Sequence, residues 1–322
     1  MKLFILSIIL VFLLISCEKG NLIIPDIGRK IVINSLITTD SVLNVRISKS
    51  AFITDKSHSS SESLRSINNA NVLVFQNDIC IDSLSYSELW SNYYDYMYKF
   101  SNYFSKSVFP LPGKEYKIVA KVNGLPDATA TAKIPDIVRI ERVDTSRIIL
   151  TGDTLGTGKV RLQFNIEFTD PNKEQNYYLL NICKKYTYYD LSHSDIIAFD
   201  SRDPIIEEKL IGPVFPLEGI AFSDRLINGK RYSLTVTLDG NTIGRPFYDD
   251  TPEDGGDHKK IIVLRLCSIT KEYFRYIQSL NLYKTNFDNP LTEPVQVASN
   301  ITGGYGIFSG AAISSDSIVF RY

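Results

Sequence analysis

Across 322 residues, 35 Lys and Arg nearly balance 36 Asp and Glu, which leaves a formal net charge of -1 and a pI near 6.3. No global field draws such a chain to nucleic acid, so a nucleic-acid partner is excluded as a leading expectation. The length suits one large or two medium domains, each able to bury its own core, and two are expected.

The chain opens MKLFILSIILVFLLISCEK, where one base, Lys2, precedes an apolar run from Leu3 to Ile15. At about 1.5 Å per helical residue the run reaches ~20 Å, against about 30 Å for a bilayer core, so it is too short to span. A charged start, a short apolar stretch and a small residue before a break are the parts of a secretory signal. Leu14-Ile15-Ser16-Cys17 resembles a bacterial lipobox, cut by signal peptidase II just before a cysteine that carries diacylglycerol. Leu14 stands at minus three, Ile15 at minus two, and Ser16 is the small residue at minus one. Residues 1–16 are therefore expected to be a lipoprotein signal peptide, Cys17 the acylated mature N-terminus and residues 17–28 a tether. Two or three acyl chains, at about 0.8 kcal/mol per buried methylene, hold a protein at a membrane where one does so only marginally. An ordinary signal peptide with a chance cysteine is the alternative.

From residue 29 onward, Val, Ile, Thr, Tyr and Phe fall in short alternating runs broken by Gly, Pro, Asn and Asp, the pattern of strands. KIVINSLITTD and NVRISKSAFIT predict two strands around Thr39-Asp40-Ser41. KSHSSSESLRSINN, residues 56–69, is polar and Ser-rich and reads as a surface loop. NANVLVFQND followed by DICIDSL predicts a hairpin. LWSNYYDYMYKFSNYF, residues 89–104, holds the chain's one Trp and reads as a single strand with Tyr94, Tyr96, Tyr98 and Phe100 on one face. Such aromatics fill a core or cover a neighbouring domain; alternatively Trp90, Tyr93, Tyr94 and Tyr96 contact a partner or a sugar ring. In EYKIVAKVNGLPDATATAKIP, Tyr116, Ile118, Ala120 and Val122 share a face, and Asn123-Gly124 supplies the two positive φ values of a tight hairpin. The chain returns through Ala128, Ala130 and Ala132, and Pro135 closes the unit. Residues 29–135 are expected to form an immunoglobulin- or transthyretin-like β-sandwich.

Residues 136–322 predict a second β-rich domain. KVRLQFNIEFTD and NYYLLNICKKYTYYD are alternating strands split by Asp170-Pro171-Asn172, and RYSLTVTLDG and KKIIVLRLCSI continue the style. TKEYFRYIQSLNLYKTNF places Tyr273, Tyr276, Ile277, Leu280 and Tyr283 at helical spacing with Thr270 as N-cap, which predicts one short helix over about 271–284. The fold class is thus all-β with a single helix. The closing Val319-Phe320-Arg321-Tyr322 looks like the last strand of an outer-membrane barrel, but the short irregular strands upstream lack the regular ten-residue spans a barrel needs.

Few residues suggest chemistry. DDTPEDGGDHK gathers Asp249, Asp250, Glu253, Asp254 and Asp257 around two glycines, a weak calcium candidate whose spacing misses the EF-hand; a solvated acidic turn is the plainer reading. GDTLGTGKV has one residue too many between Gly152 and Gly158 for a phosphate loop, and Val160 where Ser or Thr belongs. His58, His193 and His258 lie far apart in polar settings, and Ser309 in GIFSGAA lacks the glycine two residues earlier that a nucleophile elbow needs. No catalytic residue, metal or cofactor is assigned beyond the lipid on Cys17. Cys80, Cys183 and Cys267 are too widely spaced for zinc and read as buried free thiols, with one strand-bridging pair as the alternative.

NPLTEPVQVASNITGGYGIFSGAAISSDSIVF, preceded by LRLCSITKEYFRYIQSLNLY, resembles the closing stretch of the DUF4249 family of bacterial envelope lipoproteins. FSDRLINGKRYSLTV at 222–236, TDPNKEQNYYLL at 169–180 and PGKEYKIVAKVNG at 112–124 resemble its other blocks. The resemblance implies a lipidated outer-membrane protein of Gram-negative bacteria with two β-rich domains, often associated with TonB-dependent receptors, and it implies no reaction. The expectation is a non-enzymatic accessory or docking lipoprotein, with a glycan- or nutrient-binding surface lipoprotein as the alternative. The contact guesses are the aromatic segment at 89–104 and the glycine-rich loop at 300–310. Surface-exposed relatives often carry an acidic run after the cysteine; Cys17-Glu18-Lys19 has one acid followed by a base, which leaves the leaflet open.

Overall fold

The computed structural model describes residues 28–51, 66–93, 96–150, 159–188, 191–207, 209–213, 217–239, 259–287 and 292–321. In chain order the strands are β1 (Ile31–Thr38), β2 (Asn44–Lys49), β3 (Asn71–Gln76), β4 (Ile79–Ser83), β5 (Ser85–Tyr93), β6 (Tyr96–Phe104), β7 (Glu115–Lys121) and β8 (Ala128–Lys133). There follow β9 (Ile140–Leu150), β10 (Lys159–Thr169), β11 (Tyr177–Tyr188), β12 (Leu191–Ile196), β13 (Leu210–Ile211), β14 (Ile220–Ser223), β15 (Arg231–Asp239) and β16 (Lys259–Ile269). A helix, α1 (Lys271–Asn286), and a last strand, β17 (Tyr305–Arg321), complete the order. A ten-stranded sheet runs β13-β14-β11-β16-β17-β1-β2-β6-β5 with β12 on β11; β15-β10-β9 and β4-β3-β7-β8 form two smaller sheets. The sheets are open and face one another in sandwich fashion.

Period-two alternation sets the faces. Tyr116, Ile118 and Ala120 of β7 and Ala128, Ala130 and Ala132 of β8 are buried against Ile31, Ile33 and Ile37 of β1 and Val45 and Ile47 of β2. Their turn is not the tight hairpin that Asn-Gly suggests. Only Gly124 has a positive φ, 79°, and Leu125 N donates to Val122 O at 3.1 Å, so the connection is built on a type II turn, which needs one left-handed residue rather than two. The two-residue turn with both φ positive is Asn77-Asp78 (51° and 60°), between β3 and β4. Cys80 departs from expectation as well: it is exposed, whereas Cys183 and Cys267 are buried, and all three are free thiols. β4 is the edge of its sheet and its register shifts opposite Val74 and Phe75, so neither Ile79 (67 % exposed) nor Ile81 (36 %) reaches the core.

The helix runs two residues past its expected end; Thr270 accepts from Tyr273 N at 3.2 Å, and Tyr273, Phe274 and Ile277 are buried. One large core draws on residues 31–134 plus Ile301, Phe308 and Ala312, another on residues 138–266, and a third lies beneath α1. β17 serves all three. Its first part pairs parallel to β1 (Val32↔Tyr305 to Thr38↔Ala311) and its remainder pairs antiparallel to β16 (Ile269↔Ala311 to Lys259↔Arg321). Phe308 and Ala312 enter the first core, Ile318 and Phe320 pack on the second, and Ile307 and Ala311 lie under the helix. A Cβ on Gly306, at φ +103°, would stand 2.1 Å from Ile33 O, so only glycine lets β17 lie this close to β1. The glycine-rich stretch expected as a contact loop is thus mostly strand, with Ile307, Phe308, Ser309 and Gly310 buried.

Candidate functional site

The aromatic stretch is two strands, not one. β5 and β6 pair antiparallel from Ser85↔Phe104 through Trp90↔Lys99 to Tyr93↔Tyr96, so the chain reverses within the run and Tyr94 lies outside the described residues. The signal was present: a run over 89–104 exceeds the usual strand of about three to ten residues, and Asn92 and Asp95 are turn formers at its middle.

The base of this hairpin is locked. Tyr103 is 2 % exposed, donates from its hydroxyl to Ile67 O at 2.8 Å and accepts from Ala70 N at 2.9 Å, with the Tyr86 ring edge-on at 5.4 Å. Burial raises the Tyr103 hydroxyl above its ordinary pKa. β6 then pairs with β2 only at Asn44↔Phe104 and Val45↔Tyr103. Farther along β2, Ile67 N donates to Ile47 O at 3.1 Å and Ser66 bridges Ser48, so that edge is already occupied. The hairpin has to leave the sheet, and past this base neither of its outer edges is paired with a described strand.

A second feature is an open cleft of about 470 Å³ lined by Arg161, Lys184, Asp195, Asp200, Lys209 and Thr237. Its charges are largely committed to one another. Lys209 Nζ lies 3.0 Å from Asp200 and Lys184 Nζ 3.9 Å from Asp195, and the Lys209 hydrogen bond holds the Asp200 carboxyl below its ordinary range. Half-exposed pairs of this kind contribute about 1 kcal/mol at most.

Sequence reasoning missed a buried carboxylate joint. Asp170 and Asp224 are 2 % and 1 % exposed. Tyr178 donates its hydroxyl to Asp170, whose other oxygen accepts from Gly229 N at 2.9 Å; Asp224 accepts from Asn176 N at 2.8 Å. Burial raises the Asp170 pKa, the hydrogen bonds from Tyr178 and Gly229 oppose that, and the charge on Asp224 adds to it. Asp203 works similarly, accepting from the Tyr232 hydroxyl and from Thr235 N at 2.9 Å. These contacts join TDPNKEQNYYLL to FSDRLINGKRYSLTV, so two of the stretches that carry the resemblance meet in a structural joint. The turn residues Asp170-Pro171-Asn172 and Asn228-Gly229 were its visible trace.

Leu14, Ile15, Ser16 and Cys17 lie outside the described residues, as do Asp249, Asp250, Asp254, Asp257, His58 and His258. His193 stands in β12, its backbone opposite Tyr186. Ser309 is buried, its hydroxyl hydrogen-bonded with that of Thr270 at the helix cap. Among the described residues no group of three His, Cys, Asp or Glu is placed to hold a metal, and no helix is long and apolar enough to cross a membrane.

Sheets facing one another over separate cores, one long strand common to those cores and, among the described residues, one helix define a β-sandwich-like protein. The model of the family described as "Domain of unknown function (DUF4249)" matches residues 21–317, and the chain belongs to that family. No curated protein matches it.

Proposed function

We propose that the chain is a non-enzymatic lipoprotein of the outer membrane, held by acyl chains on Cys17, that docks on a TonB-dependent receptor or a similar envelope complex. The observation that carries this reading is Leu14-Ile15-Ser16-Cys17 directly after an apolar run too short to span a bilayer. Anchoring confines the protein to two dimensions and raises its effective concentration near a membrane partner, so a modest interface suffices. The hairpin that leaves the sheet supports a role in contact rather than in chemistry.

The test is crosslinking of cells that express tagged protein, purification in mild detergent and mass spectrometry, with Cys17→Ala as control. Recovery of a TonB-dependent receptor with the wild type and its loss with the variant is the expected result. Recovery of the lipoprotein alone overturns docking, and retention on a polysaccharide gel that Trp90→Ala abolishes would move the assignment to glycan binding.

A further inference from the structure

We infer that the cleft beside β15 is a binding site for a small organic anion, whose acidic head is taken by Arg161 and whose apolar body lies along Ile196 and Ala198. The inference depends neither on acylation at Cys17 nor on a membrane partner.

Charge carries the first step. Three cations, Arg161, Lys184 and Lys209, line the cleft with two carboxylates, Asp195 and Asp200. Each carboxylate has a lysine: Lys209 Nζ is 3.0 Å from Asp200 and Lys184 Nζ 3.9 Å from Asp195. Arg161 is the cation left over. Among the described residues no carboxylate lies within ion-pair distance of its guanidinium, and behind the bond and charge of Lys209 its own charge reaches Asp200 only from farther away. A guanidinium offers N–H donors in a planar fork that grips a carboxylate or phosphate by two bonds at once. Lys209, by holding Asp200, keeps that carboxylate from taking the fork, so Arg161 stays available to an incoming acid.

Shape carries the second step. The volume of about 470 Å³ falls within the roughly 300–1,000 Å³ of small-molecule sites. One wall is fixed in advance. Ile197 N donates to Ile182 O at 2.9 Å, and Asp200 and Thr237 exchange backbone hydrogen bonds at 2.9 and 2.7 Å, so residues 197–200 form a strap tied to β11 at one end and to β15 at the other. Ile197 and Phe199 are buried in the second core, which holds the strap down. Ile196 and Ala198 alternate with them and are left along the cleft, between Asp195 on one side in sequence and Asp200 on the other. An apolar strip between two ion pairs, with an uncommitted guanidinium beside it, suits a ligand with one acidic head and a short apolar body. A wall already in place spares that ligand the cost of ordering it.

The full-length protein in mild detergent is titrated at low salt with benzoate, phenyl phosphate and benzyl alcohol, and binding is read by ligand-detected NMR with detergent alone as the blank. At least one of the two acids is expected to bind with a dissociation constant of about 1 mM, and the tighter of the two names the head. Benzyl alcohol, which has the ring without the charge, is expected to bind about tenfold more weakly or less. Arg161→Gln should weaken the acid about tenfold while the urea midpoint stays put, because the guanidinium holds no other described group. Asp200→Asn, which removes a negative charge and keeps Arg161, should tighten it about twofold. Equal binding of benzyl alcohol overturns the acidic head, and undiminished binding by Arg161→Gln overturns Arg161 as its holder. Weaker binding by Asp200→Asn overturns the charge argument, and no binding of either acid at high millimolar concentration overturns the site. None of these outcomes touches the Cys17 anchor or receptor docking, which the crosslinking experiment tests separately.

Discussion

β17 and the β5–β6 hairpin are both long stretches of strand-forming residues, and they meet opposite fates. β17 has a strand partner along its whole length, first β1 and then β16, and sends side chains into three cores. The hairpin is held at Tyr103 and then leaves the sheet because Ser66 and Ile67 occupy the edge it would have used. Alternation alone does not separate the two; what separates them is whether a second surface is available to each face and edge. A segment that several cores need is chosen for packing, whereas the hairpin is paired into the large sheet only at its base.

That contrast can be broken at either end. The largest effect is expected at Gly306, where Gly306→Val forces a side chain onto Ile33 O in a left-handed conformation; a loss above about 4 kcal/mol, read by urea unfolding or as insoluble protein, is anticipated. Normal stability of that variant would show that β17 can slide from β1. Phe308→Ala removes a fully buried ring of the first core and should cost ~3 kcal/mol or more in the same assay.

Asp170→Asn takes an acceptor from a buried joint, at a cost of about 1–3 kcal/mol near neutral pH. Its pH dependence sharpens the assignment. The folded pKa of Asp170 lies above its unfolded value, so the contribution of this carboxyl is fully present below the unfolded pKa and is lost as pH rises through the folded one. The gap between wild type and variant should therefore widen as pH is lowered from neutral toward 4, about the unfolded value of an aspartate; a gap that narrows would refute the raised pKa. Smallest of all, Tyr103→Phe at the hairpin's base removes a buried hydroxyl that donates to Ile67 O and accepts from Ala70 N, and should cost about 1 kcal/mol in the same assay. Unchanged stability of that variant would show that the base of the hairpin is not locked by this hydroxyl. Thiol labelling gives an independent check on the fold: Cys80 should react with maleimide in the native protein, while Cys183 and Cys267, the latter pushed up to about 12 by burial, should react only on unfolding.

Much of the fold was legible because it is local. The strands around Thr39–Ser41, the inward faces of β7 and β8 and the Thr270 cap of α1 each follow from period and capping within a dozen residues. Turn chemistry was less legible: Asn123-Gly124 looked like the two-residue hairpin, and Asn77-Asp78 is one. Asn and Asp can adopt positive φ, but whether they do depends on how many residues must bridge the strands. Of the buried joint only its turn residues were legible; that Asp170 and Asp224 meet in it was not, since the two acids stand 54 positions apart and ordinarily imply solvent.

The amino-acid sequence by itself determined the strand-rich class, the helix and its cap, and the expectation of an acylated Cys17, because backbone propensity, side-chain period and a short cleavage motif act over neighbouring residues. Only the tertiary structure decided that β17 is common to three cores, that Cys80 faces solvent, and that the aromatic run folds back and leaves its sheet. Those outcomes depend on which distant segment reaches an edge or a face first, a competition in which Ser66 and Ile67 take β2 and exclude the hairpin.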